Sequence, residues 1–118
     1  MSLPEKQKLE SSTAPVDRRL YPRYNIKVQI ELRPEGSDVP MRLETTDLSR
    51  NGCYIVTNMP LPVATKVQVS LWLGEDRVRL RGCVVTRHPQ FGNGIMFLKF
   101  DADGEPKLKA FLDKIRLD

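Results

Sequence analysis

Ile26-Lys27-Val28-Gln29-Ile30-Glu31-Leu32-Arg33 decides the fold. Apolar and polar residues alternate here without a break. Ile26, Val28, Ile30 and Leu32 therefore share one face, and Lys27, Gln29, Glu31 and Arg33 the other. A period of two sustained over eight residues marks a half-buried β-strand, expected over residues 25–33. The same period returns at residues 66–73, with Val67, Val69, Leu71 and Leu73 on one face and Lys66, Gln68, Ser70 and Trp72 on the other. Shorter strand-like runs cover residues 41–46, 53–57 and 94–100, and a long one covers 77–87. Turn and loop residues separate them: Pro34-Glu35-Gly36-Ser37-Asp38, Asp47 to Gly52, Met59-Pro60-Leu61-Pro62, Gly74-Glu75-Asp76, and the stretch 89–93. In the long run, Val78, Leu80 and Val84 are the core candidates. A bulge or sharp bend at Gly82 accounts for the change of pattern at Val84-Val85.

The tail changes period. Leu108, Phe111, Leu112 and Ile115 fall at i, i+3, i+4 and i+7, one face of a helix. Asp103 is placed to cap its N-terminus, Pro106 sits in the first turn, and Lys114 and Arg116 suit its negative pole. Six short strands with no helix between them, followed by one amphipathic helix, predict a mainly all-β fold. The expectation is a six-stranded antiparallel barrel plugged or flanked by a C-terminal α-helix.

A chain of 118 residues predicts one domain large enough to fold without metal or disulfide support. Residues 1–17, with Ser11-Ser12-Thr13-Ala14-Pro15 and no hydrophobic period, read as a flexible N-terminal arm, and residues 18–118 as the barrel domain. The chain contains no apolar run of membrane-spanning length, and the polar start has no signal-peptide core, so a cytoplasmic location without membrane insertion is expected. Cys53 and Cys83 lie in strand-like runs and are expected as buried free thiols. One histidine and two cysteines cannot furnish a structural zinc site, and no cofactor is expected. The net charge of +4 favours anionic partners but is modest for a binder of duplex nucleic acid.

The charge is concentrated locally. Arg18 and Arg19 precede Leu20-Tyr21-Pro22-Arg23, giving R-x-x-x-R at the junction of arm and domain. Pro22 disfavours a helix, so Arg19 and Arg23 converge from an extended or turning segment. Arginine forks grip phosphates and the acceptor edge of guanine. The second motif, Asp47-Leu48-Ser49-Arg50-Asn51-Gly52, is a D-x-S-x-x-G expected in a turn. It offers a carboxylate, a hydroxyl and a glycine able to supply a positive φ angle. Taken together, the motifs suggest a site for a small anionic molecule containing guanine. His88 beside Pro89 is expected in a loop without a catalytic partner, and nothing points to an enzyme. Trp72, on the polar face of its strand, reads as exposed or helix-covered.

Arg19-x-x-x-Arg23, then Asp47-x-Ser49-x-x-Gly52 after two strands, then Gly94-Ile95-Met96-Phe97 in a late strand, resembles the PilZ domain family over residues 17–116. The resemblance implies a six-stranded barrel with a following helix and a receptor for the bacterial second messenger cyclic di-GMP. It implies that Arg19 and Arg23 grip phosphates and guanine edges. Asp47 and Ser49 would bond a guanine's polar edge, and Gly52 would keep the turn open. Arg18 resembles the extra arginine of members that hold two stacked, intercalated ligand molecules, so a ligand pair is favoured over a single molecule. The contact made by Arg50, at a variable position of the motif, is not specified. The implied mechanism is docking of the arginine-bearing arm onto the barrel, which alters the surface shown to an unknown protein effector. Two alternatives stand beside it. One is a nucleotide-independent adaptor in motility or pilus assembly, whose mark would be loss of these motifs. The other is a small barrel for single-stranded nucleic acid, which would want several exposed aromatics on one face.

Overall fold

Each strand read from the sequence has one apolar face. Six such strands bury those faces and leave no unpaired edge if the sheet closes on itself. The computed structural model describes residues 21–117. It contains β1 (Gln29–Pro34), β2 (Met41–Leu48), β3 (Gly52–Val56), β4 (Lys66–Leu73), β5 (Asp76–His88), β6 (Gly92–Phe100) and the helix α1 (Gly104–Leu117). The strands form a closed barrel in the order β1-β2-β3-β6-β5-β4, with every neighbouring pair antiparallel. The expected arm over residues 1–17, and Arg18 and Arg19 after it, lie outside the described residues.

The alternation is translated directly into burial. Val28, Ile30 and Leu32 are buried, as are Val67, Val69, Leu71 and Leu73. α1 packs against β5 and adds Leu108 and Leu112 to the same core, with Phe111 and Ile115 half-buried at its margin. Asp103 immediately precedes the helix, and its carbonyl accepts from the amide of Lys107. No helix among the described residues is long and apolar enough to cross a membrane.

Several details outside the two motifs differ from the sequence expectation. First, β1 starts at Gln29 although its alternation begins at Ile26. The buried Thr45 is the reason: its hydroxyl accepts from the amide of Val28 at 3.0 Å and donates to the carbonyl of Ile26 at 2.9 Å. The Thr45 amide still donates to Val28 O at 3.0 Å, but its hydroxyl takes up the Val28 amide and the Ile26 carbonyl, and regular pairing ends there. Second, Gly82 does not shift the phase of β5, because Val78, Leu80, Gly82 and Val84 are all buried. The bulged residue of β5 is Val85, between the pairs Val84–Ile95 and Thr86–Gly94. At Gly82 the extra residue belongs to β6: Arg81 pairs with Lys99 and Gly82 with Phe97, which leaves Leu98 out. Third, His88 ends β5 instead of lying in a loop, and its Nδ1 is 2.8 Å from the hydroxyl of Tyr54. Fourth, both cysteines are free, but Cys83 is half-buried and only Cys53 lies in the core.

Asn93, fully buried, fastens the connection between β3 and β4. Its Oδ1 accepts from the amide of Leu61 at 2.8 Å, and its Nδ2 donates to the carbonyls of Leu61 at 2.9 Å and Thr86 at 3.2 Å. Asn93→Ala strands these main-chain groups and is expected to cost about 2–4 kcal/mol, read as a lower midpoint in urea unfolding.

Candidate functional site

The candidate site forms where the chain entering β1 meets the end of β2. Tyr24 and Leu48 exchange both backbone hydrogen bonds, Tyr24 N to Leu48 O and Leu48 N to Tyr24 O, each at 2.9 Å. This isolated bridge fixes the segment carrying Arg23 against the strand carrying Asp47. The Arg23 guanidinium then lies 2.8 Å from the Asp47 carboxylate, with both side chains partly exposed. Two residues that are 24 positions apart in sequence are thus joined at the surface.

Asp47 is not in a turn, contrary to the sequence expectation. It is a residue of β2, paired with Tyr54 across a register irregularity that begins after the pair Thr45–Ile55. That bulge leaves Thr46 unpaired. A bulge re-aims the side chains that follow it. The turn proper is only Ser49, Arg50 and Asn51. Leu48, between Asp47 and Ser49, is fully buried and anchors the motif in the core.

Ser49 is also buried. Its amide donates to Gly52 O at 2.8 Å, its hydroxyl donates to Asn51 Oδ1 at 2.7 Å, and the amide of Asn51 donates back to the hydroxyl at 3.2 Å. The hydroxyl, expected to bond a guanine edge, is instead buried and closes the turn from within. Asn51 O accepts from the amide of Phe97 at 2.8 Å, so β6 holds the turn from outside. Gly52 does not have the positive φ expected of it. It is required because β3 and β6 approach closely there: a Cβ at position 52 would lie 2.4 Å from the carbonyl oxygen of Ile95.

Arg50 is half-buried, with its guanidinium 5.1 Å above the centre of the Tyr21 ring. This cation–π contact is a second tie between the two motifs. Beside it opens a cleft of about 380 Å³, bordered by Tyr21, Arg50, Asn51 and Glu105 and by residues 97–100 of β6. Behind the site sits Cys53. Burial pushes its thiol far above the ordinary value, the Asp47 carboxylate pushes the same way, and Arg23 opposes weakly. The thiol stays protonated and is no nucleophile. Among the described residues no cluster of His, Cys, Asp or Glu is arranged to hold a metal.

The structure thus brings together Arg23, Asp47, Ser49 and Gly52. It adds Tyr21, Tyr24, Thr45 and Asn51, which sequence reasoning did not single out as organisers. Tyr24 and Thr45 act through backbone pairing and a buried hydroxyl, for which a single sequence carries no signal. The tyrosine and arginine at positions 21 and 50 are visible as residue types, but their stacking is not.

Gly52→Ala forces the Ile95 carbonyl away and is expected to destabilise by about 1–3 kcal/mol; a thermal melt compared with Gly36→Ala, where open space surrounds the added Cβ, separates crowding from backbone strain. Cys83 is expected to react with a thiol reagent in the native protein, and Cys53 only at the rate of unfolding. Mass spectrometry of partially labelled protein reads both.

The chain matches the PilZ domain family model over residues 17–114. No curated protein sequence matches it. Among solved structures it is similar to the Bacillus subtilis inhibitor of motility (MotI/DgrA), with a TM-score of 0.70 at 15% identity over 85% of this chain. This chain spans 52% of that protein, about half its length. It is also similar to the PilZ domain of CeSA from a cellulose-synthesizing bacterium, with a TM-score of 0.64 at 16% identity, over 80% of this chain and 97% of that one. At these identities the two structures speak for the fold, and the family model covers the two motifs and all six strands. The chain belongs to the PilZ domain family.

Proposed function

We propose that this domain is a receptor for cyclic di-GMP and carries out no covalent chemistry. The observation that supports the reading most is the Arg23–Asp47 pair: the last arginine of R-x-x-x-R and the first residue of D-x-S-x-x-G meet at 2.8 Å on the barrel surface. The motifs are therefore two halves of one site. A partly exposed ion pair of this kind is worth about 0–1 kcal/mol. Arg23 can leave Asp47 for a phosphate or a guanine edge at little cost, while Asp47 turns to the donor edge of guanine.

In this reading Arg19 and Arg23 hold phosphates and guanine edges, and Asp47 supplies the carboxylate. Ser49 and Gly52 keep the D-x-S-x-x-G turn in its closed shape against β6. Arg18 supports a second, intercalated ligand molecule. As ligand binds, the segment bearing Arg18 and Arg19 closes over it and changes the surface offered to a protein effector. The nucleotide-independent adaptor is disfavoured because the motif residues are intact and Arg23 and Asp47 are paired.

Calorimetric titration with cyclic di-GMP tests this directly. Binding with two ligands per chain is expected, falling to one in Arg18→Ala. Arg23→Ala or Asp47→Ala should weaken binding about 10- to 150-fold, the loss of one charged hydrogen bond of roughly 1.5–3 kcal/mol. Absence of heat at high micromolar ligand, with the protein folded, defeats the proposal.

A further inference from the structure

The outer face of β1, β4 and β5 holds a groove of about 550 Å³, lined by none of the residues of the β2–β3 turn. Strand register builds it. Arg33 of β1 lies opposite Gln68 of β4, Gln68 opposite Arg81 of β5, and Arg81 opposite Lys99 of β6. One transverse row across four strands therefore carries three cations. In the next rows Ser70 pairs with Arg79 and Trp72 with Arg77. Ser70 is buried at the floor of the groove, and its hydroxyl accepts from Arg77 at 3.2 Å. The same guanidinium lies 4.9 Å over the Trp72 ring.

Two features separate this face from an ordinary solvated surface. Arg81 and Lys99 face each other across antiparallel strands, an arrangement that costs folding stability. Arg77 is held in place by Ser70 and Trp72, so one side of the groove is already ordered. The rim also carries acids, Glu31, Asp38 and Asp101. Glu31 is already paired with Arg42 at 3.2 Å. Acids at the rim repel a uniform phosphate backbone but can pair with a basic residue of mixed sequence. The groove also lacks the row of open aromatic faces that stacked bases require, since the Trp72 ring is covered by Arg77.

We infer that this groove is a docking surface for an acidic segment of a partner protein, whose carboxylates pair with Arg79 and Arg81. A volume of about 550 Å³ accommodates a few side chains of such a segment. The inference does not depend on cyclic di-GMP binding, because none of these residues belongs to the two motifs.

The test uses the full chain and a labelled 12-residue peptide rich in glutamate, followed by fluorescence anisotropy. Saturable binding is expected that weakens with added salt. Arg79→Glu/Arg81→Glu should reduce affinity at least tenfold, and Lys114→Glu, a charge reversal on α1 away from the groove, should change it less than twofold. Arg81→Gln should weaken peptide binding while raising the melting temperature by about 2 °C, through relief of the Arg81–Lys99 opposition. The inference is overturned by absence of binding, by equal losses in the α1 variant and the groove variants, or by tighter binding of a 12-nucleotide oligothymidylate at the same arginines.

Discussion

β1 hydrogen-bonds to β2 on one side and β4 on the other, and everything else in the molecule depends on that double pairing. It turns a six-stranded sheet into a barrel with no free edge. Closure fixes the registers and decides which residues line the core and which face solvent. It also fixes where the chain must enter. Before β1 regular pairing ends, because beyond the Thr45 N–Val28 O bond the Thr45 hydroxyl takes up the Val28 amide and the Ile26 carbonyl. The residues before it cross instead to the end of β2 and are pinned by the Tyr24–Leu48 bridge. The meeting of Arg23 with Asp47 is thus a consequence of barrel closure and owes little to the attraction between the two charges.

The site is built on unequal supports. Leu48, Ser49 and Gly52 are set in packed surroundings, and the Ile95 carbonyl leaves no room for a side chain at position 52. Arg23, Asp47 and Arg50 are partly exposed and held by contacts that salt and competing ions weaken. Geometry comes from the first set and chemistry from the second. Substitutions in the two sets are therefore expected to fail differently, the first through stability and the second, in the proposed receptor, through recognition.

Much of this was legible in the sequence, for identifiable reasons. Period-two alternation reports burial directly, so six strands and their inward faces followed from residues such as Val67, Val69 and Leu71. The helix followed equally from Leu108, Phe111, Leu112 and Ile115. The motif residues were recognisable by type and order. What escaped was set by tertiary contact. Gly52 looks like a turn glycine, and the approach of β6 that requires it is invisible locally. Asp47 looks like a turn former, yet a bulge keeps it within β2. The phase slip attributed to Gly82 belongs to Val85 and Leu98, because bulges depend on the partner strand. Asn93 reads as a loop residue, although it is one of the most buried polar groups and ties two segments together.

The inward-facing hydroxyl of Ser49 has a thermodynamic consequence for recognition. A loop that must organise itself around a ligand charges the complex for lost side-chain and backbone freedom, about 0.5–1.5 kcal/mol for each immobilised side chain. Here Ser49 and Asn51 have already satisfied one another, and Phe97 has locked the result. In the proposed receptor, that half of the site would therefore be preorganised. Affinity in that receptor would then be tuned mainly by the segment that carries Arg23, which is held to the barrel through Tyr24 and Tyr21.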